Sequence, residues 1–163
     1  MKVLAVIGVI VFIPLGWAAL SGAFSGPERD EEGAVVEAGV VSAFDIRVGD
    51  CFSLPDDSVV SIEQAELVPC LEPHTYEAYA EYVYADKSQA PYPGLAVILD
   101  QSDAFCLDEF EAFVDHRWET SVLDFAYLYP EEEGWQFGDR TVLCLIQPTS
   151  DDPLTGSMRG AGI

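Results

Sequence analysis

Four residues carry the most definite chemistry in the chain: Cys51, Cys70, Cys106 and Cys144. An even set of cysteines in a small exported domain forms disulfides, whereas a cytosolic set stays reduced. Four cysteines allow three pairings. Cys51–Cys70 with Cys106–Cys144 is the expected one, because each bridge then stays inside one half of the sequence. Zinc sites bring cysteines in as close C-x2–4-C pairs. The intervals here are 18, 35 and 37 residues, so no metal centre is expected. His74 and Glu77, in Pro-His-Thr-Tyr-Glu, would supply two metal ligands at most. The plainer role of His74 is to fix the turn beside Cys70 by hydrogen bonds. His116 falls near a helix end, where a cation complements the dipole. In Trp135-Gln136-Phe137-Gly138-Asp139-Arg140, the tryptophan covers the core edge. Arg140 is expected to pair with an acidic neighbour, the plainer alternative to gripping an acidic partner in so acidic a chain.

Catalytic patterns are missing. There is no phosphate loop, no dinucleotide glycine fingerprint and no H-E-x-x-H helix. Gly156-Ser157-Met158-Arg159-Gly160 has its serine one position away from a nucleophile elbow. With 29 acidic side chains, a carboxylate pair at glycosidase spacing arises by chance. Glu131, Glu132 and Glu133 form a hydrated loop, not a calcium loop. No catalytic residue and no cofactor is expected. A net charge of −22 also excludes nucleic acid as a partner, since phosphate binding needs clustered Lys and Arg. Asparagine is absent, so no glycosylation sequon exists.

These residues need elements to hold them. Val3–Phe24 is free of charge. As a helix it spans about 33 Å, enough for a bilayer core of roughly 30 Å. It reads as an uncleaved anchor, with Pro14 tolerated inside it. The competing reading is a cleaved leader ending at Ser21-Gly22-Ala23. No cysteine stands beside that exit to take a lipid. Lys2 precedes the run and Glu28, Asp30, Glu31 and Glu32 follow it. The positive-inside tendency therefore puts the N-terminus in the cytoplasm and the rest outside the cell membrane.

Three segments follow from this: a transmembrane anchor at 1–24, an acidic linker at 25–43, whose later valines suit a short edge strand, and an extracytoplasmic domain at 44–163. Strand and turn are expected over Phe44–Phe52, with a turn at Pro55–Ser58. Short strands are expected at Val59–Ile62 and Ala65–Val68, and a longer one at Tyr76–Tyr84, where helix competes. Gln89–Gly94 is a loop, and Leu95–Leu99 is open between helix and strand. Ser102 is positioned to cap a helix from Asp103 to about Trp118, with Cys106, Phe110, Phe113 and Val114 on its inner face. Phe125–Tyr129 and Thr141–Ile146 read as strands around a polar turn at Pro130–Gly134. The fold class is α+β, with short antiparallel strands and one or two helices.

Several stretches together resemble the septum formation domain family of actinobacterial membrane-anchored proteins. They are Val48-Gly49-Asp50-Cys51-Phe52, Val68-Pro69-Cys70 with Pro73, His74 and Glu77, and Cys106 with Phe110. Trp135, Gly138-Asp139-Arg140 with Cys144, and Thr155-Gly156-Ser157-Met158-Arg159-Gly160 complete the series. The resemblance covers roughly 44–161 and implies an extracytoplasmic domain behind a membrane anchor. It implies no catalytic residue, and its motif residues are mostly framework types. The expected function is a non-enzymatic interaction module on the outer face of the cell membrane, serving septum or envelope assembly. Its partners are the membrane, through residues 3–24, and proteins of the membrane or envelope with a cationic surface. The alternative is an accessory single-span subunit of a larger membrane complex, such as a respiratory assembly. An envelope hydrolase is the remaining and weakest reading.

Overall fold

A computed structural model describes residues 26–54, 64–85 and 90–163. The anchor at 3–24, the turn at Pro55–Ser58, the strand at Val59–Ile62 and Gln89 lie outside the described residues. Among the described residues no helix is long and apolar enough to cross a membrane.

The fold is α+β. Its centre is a six-stranded antiparallel sheet built from β3 (Gly39–Ser42), β4 (Cys51–Ser53), β5 (Gln64–Val68), β6 (Tyr76–Val83), β7 (Leu123–Leu128) and β8 (Thr141–Pro148), in the order β3-β5-β4-β6-β8-β7. A separate two-stranded ribbon joins β1 (Glu28–Arg29) to β2 (Val35–Glu37). Residues 28–42, read from sequence as linker, therefore carry three strands. The folded unit begins well before Phe44. The edge strand suggested by the later valines is β3, whereas acidic and glycine-rich composition hid the β1–β2 pairing, because a short paired strand needs backbone partners more than apolar side chains.

Helix α1 (Leu95–Val114) lies on one face of the sheet. It starts eight positions before Asp103, and Ser102 does not cap it. Instead Ser102 is buried within the helix, donating its hydroxyl to the Ile98 carbonyl at 2.7 Å. The start is set by Gly94, whose φ of +97° suits a residue without Cβ. Buried Ile98, Ser102, Cys106 and Phe110 recur every four residues, with Phe113 and Val114 continuing the stripe. The helix stops at Val114 because Asp115 turns left-handed, so Trp118 belongs to a following 3-10 turn. A second short helix, α2 (Glu132–Gln136), replaces the expected polar turn. Glu132 and Glu133 sit in its first turn, where the helix dipole favours carboxylates.

Two apolar layers flank the sheet. On the helix side Tyr79, Ala80, Val142, Cys144 and Ile146 meet Cys106, Phe110 and Phe113. On the other side Phe52, Leu67, Ala78, Leu143 and Leu145 meet Val35 and Ile46. Strand β8 serves both layers by simple alternation. Strand β6 does not: a bulge between Ala78 and Ala80 puts both Tyr79 and Ala80 on the helix side. Burying Phe52 or Phe110 completely contributes roughly 1.5–3 kcal/mol each.

Candidate functional site

Gly49 has φ +95° and lets the chain turn sharply into β4. Its amide donates to the Ala78 carbonyl at 2.7 Å, and the Ala78 amide donates to the Asp50 carbonyl at 2.9 Å. The turn leaves the Asp50 carboxylate buried. Arg29 answers it from β1 with Nη1 to Oδ1 at 2.6 Å and Nη2 to Oδ2 at 2.8 Å. The Arg47 amide also donates to Oδ2, at 2.9 Å. The hydrogen bond to Asp50 raises the Arg29 pKa above its ordinary value against the opposing effect of burial.

Next to Asp50, Cys51 is bridged to Cys70, and Cys106 is bridged to Cys144. The first bridge ties β4 to the turn after β5, and the second staples α1 to the interior strand β8. Cys51 faces Glu77 in the β4–β6 register. The two sulfurs and a Glu77 carboxylate oxygen lie within 4.8 Å of one another. Bridged sulfurs offer no thiolate, so this cluster is a structural corner in the oxidised protein.

Glu77 is 2% exposed, yet among the described residues no cationic side chain pairs with it. Its Oε1 accepts the Ser157 hydroxyl at 2.5 Å and its Oε2 accepts the Met158 amide at 2.6 Å. The C-terminal segment is thereby pinned to the sheet. More backbone bonds continue the seam. His74 and Leu154 exchange bonds of 3.1 and 2.8 Å, and the Gly156 amide donates to the Cys70 carbonyl at 2.7 Å. Gly160 and Gly162 donate to Phe113 and Val114 at the end of α1. The Arg159 guanidinium lies over the Phe113 ring at 4.5 Å.

His74 does fix its turn. The Glu72 carbonyl lies 2.7 Å from Nδ1 and can only accept, so Nδ1 carries a proton. Nε2 is buried without a partner among the described residues. His74 and Glu77 do not join in a metal-ligating cluster there. Pro73 stands exposed at the turn. His116 falls beyond the end of α1, and its Nε2 lies 3.1 Å from the Thr120 hydroxyl.

The Arg140 expectation needs correction. Its guanidinium stacks on Trp135 at 3.8 Å and donates to the Trp135 and Asp139 carbonyls, both at 2.7 Å. The ion pairs among the described residues are Arg29–Asp50 and Arg117–Glu119. The two carbonyls engage one guanidinium nitrogen and the indole face covers the plane, while Nε is buried without a partner among the described residues. Gly138 shapes the turn with φ +98°, and Asp139 accepts the Thr141 amide at 3.1 Å. The Trp135 indole donates to the Ala90 carbonyl at 2.9 Å.

Sequence reasoning missed Arg29. The available signal was its position as a lone base among Glu28, Asp30, Glu31 and Glu32.

The geometry defines a disulfide-framed α+β domain whose motif residues tie distant segments together. The chain belongs to the septum formation family, whose pattern matches residues 48–161. Two mycobacterial proteins named lipoprotein LppN, from Mycobacterium bovis and Mycobacterium tuberculosis, are each 27% identical to it over 117 residues. The matched stretch takes in 70% of this chain and 62% of theirs, so less than two thirds of the relatives' length is covered. No solved structure matches the chain.

Proposed function

We propose that the protein is a membrane-anchored, non-enzymatic interaction module of the cell envelope, acting outside the membrane in septum or envelope assembly. One observation carries the reading. Three charged motif groups are engaged inside the fold: Asp50 by Arg29, Glu77 by Ser157 and Met158, and Arg140 by the Trp135 ring and two carbonyls. A domain that uses its motif residues this way presents a rigid surface to partners. Two disulfides fit an oxidising compartment. The relatives' name of lipoprotein supports attachment to the envelope. All four cysteines here are bridged and none is free to take a lipid. We assign the anchor to residues 3–24 as a single span with the N-terminus cytoplasmic, on the strength of their uncharged length and of Lys2 before them.

The test is deletion of the gene with imaging of septa and envelope. Delayed or misplaced septa restored by the full chain are expected, and normal septa with an unchanged envelope would overturn the septal role. Protease added to intact spheroplasts should remove the folded domain, and protection of that domain would overturn the topology. A net charge of −22 favours a second reading, an accessory subunit of a larger membrane complex. Mild detergent extraction and native electrophoresis separate the two: stoichiometric co-migration with a complex supports the subunit, and a free monomer opposes it.

A further inference from the structure

Beside α1, the C-terminal part of β6 contributes Tyr82 to a groove of about 440 Å³ lined also by Gln101, Ala104, Phe105 and Asp108. The Tyr82 and Phe105 rings are 5.4 Å apart and tilted by 47°, so they form a wedge rather than a closed stack. The edge of Tyr84 braces Tyr82 at 4.9 Å. Tyr82 remains 37% exposed. Gln101, Ala104, Phe105 and Asp108 follow at spacings of three and four, so they share one side of the helix. Ala104 leaves room beside Phe105, and Asp108 places an exposed carboxylate on the same wall. Among the described residues no basic side chain lines the groove, and α1 carries Asp100, Asp103, Asp108, Glu109 and Glu111 without one basic residue.

We propose that this groove takes a cationic side chain, a lysine or arginine presented by a basic segment of a partner protein. Aromatic faces attract a cation through their quadrupole, and a neighbouring carboxylate adds direct attraction. The net charge of −22 draws such a segment toward the domain and repels anionic envelope polymers. A neutral sugar would stack on the same rings but would gain nothing from that field. The proposal deepens the interaction-module reading by giving the partner's chemistry. Binding in vitro is read separately from any septal phenotype.

The experiment titrates the full chain in detergent micelles with labelled hexalysine at about 150 mM salt, with chitotetraose as competitor. Variants are Y82A and D108N, with E31Q/E32Q on the β1–β2 ribbon as the charge control. Asp108 is exposed, so D108N keeps the test valid even if Y82A fails to fold. Saturable one-to-one binding is expected, weakened roughly fivefold by Y82A or D108N and changed less than that by E31Q/E32Q. Non-saturable binding, or equal weakening by the ribbon control, would overturn the proposal. Displacement of hexalysine by chitotetraose would replace it with a glycan site.

Discussion

Arg29 on β1 and Asp50 before β4, separated by 21 positions, close a two-pronged ion pair with N–O distances of 2.6 and 2.8 Å. Because Asp50 is buried, the pair fastens the acidic N-terminal ribbon to the turn beside the Cys51–Cys70 bridge. Removing only Arg29 leaves a buried carboxylate with the Arg47 amide as its remaining donor. R29A should therefore lose about 2–4 kcal/mol in urea unfolding. A chain starting at Phe44 should be destabilised further, since it also loses β1 to β3. Equal stability of the two chains would show that the ribbon is dispensable.

Glu77 makes the corresponding test for the C-terminal segment. E77Q keeps the volume but turns one acceptor into an amide donor facing the Ser157 hydroxyl or the Met158 amide. A loss of about 1–3 kcal/mol is expected. Hydrogen exchange should speed up selectively at Met158 and Gly156, while Ile98 and Phe110 stay protected.

Alkaline pH probes Tyr79. Its hydroxyl donates to the Cys106 carbonyl at 2.5 Å, and burial pushes its pKa far above the usual tyrosine value, with Glu109 adding to the effect. The folded state thus keeps a proton that the unfolded state loses near pH 10. The associated stability is fully present below about pH 10 and falls above it by about 1.4 kcal/mol per pH unit. Tyr127 is pushed up to about 12 by burial, assisted by its hydrogen bond to Asp103, and acts in the same direction. Y79F should flatten the decline of stability between pH 10 and 12, measured by urea unfolding at fixed pH. An unchanged slope would remove Tyr79 as its source.

The two bridges should differ in worth. In the chain-entropy picture, loss of Cys51–Cys70, with a separation of 19, costs about 3 kcal/mol, and loss of Cys106–Cys144, with a separation of 38, costs about 4 kcal/mol. Thermal unfolding of paired Cys→Ala variants checks the order. The second pair should also free α1 from β8, so near-UV circular dichroism should weaken more.

The cysteine pairing was legible because each bridge stays within one half of the domain. The strands at β5, β6 and β8 were legible from their apolar and aromatic patterns. The start of α1 was not: Leu95–Leu99 is an uninterrupted apolar run, and Ser102 looks like a cap until its side chain is seen turned to the Ile98 carbonyl. The ribbon escaped notice for a different reason. It is held by backbone pairing, by the long-range Arg29–Asp50 ion pair and by Val35 in the core, and the first two leave no local pattern. At Arg140 the error was one of partner type, because stacking on Trp135 and carbonyl acceptance have no charge signature. The groove at Tyr82 depends on the β6 bulge, which no alternating pattern announces.

That bulge makes arithmetic, not chemistry, the tightest constraint on β6. Tyr76 and Tyr82 are both even-numbered, yet Tyr76 stacks on Phe52 in one layer and Tyr82 leans on Phe105 in the other. Exchanging one side chain for another in this stretch alters a single contact. Adding a residue after Ala80 would instead invert everything downstream, carrying Tyr82 and Tyr84 to the wrong layer together. Natural variation within the stretch should therefore appear as replacements, with its length held constant.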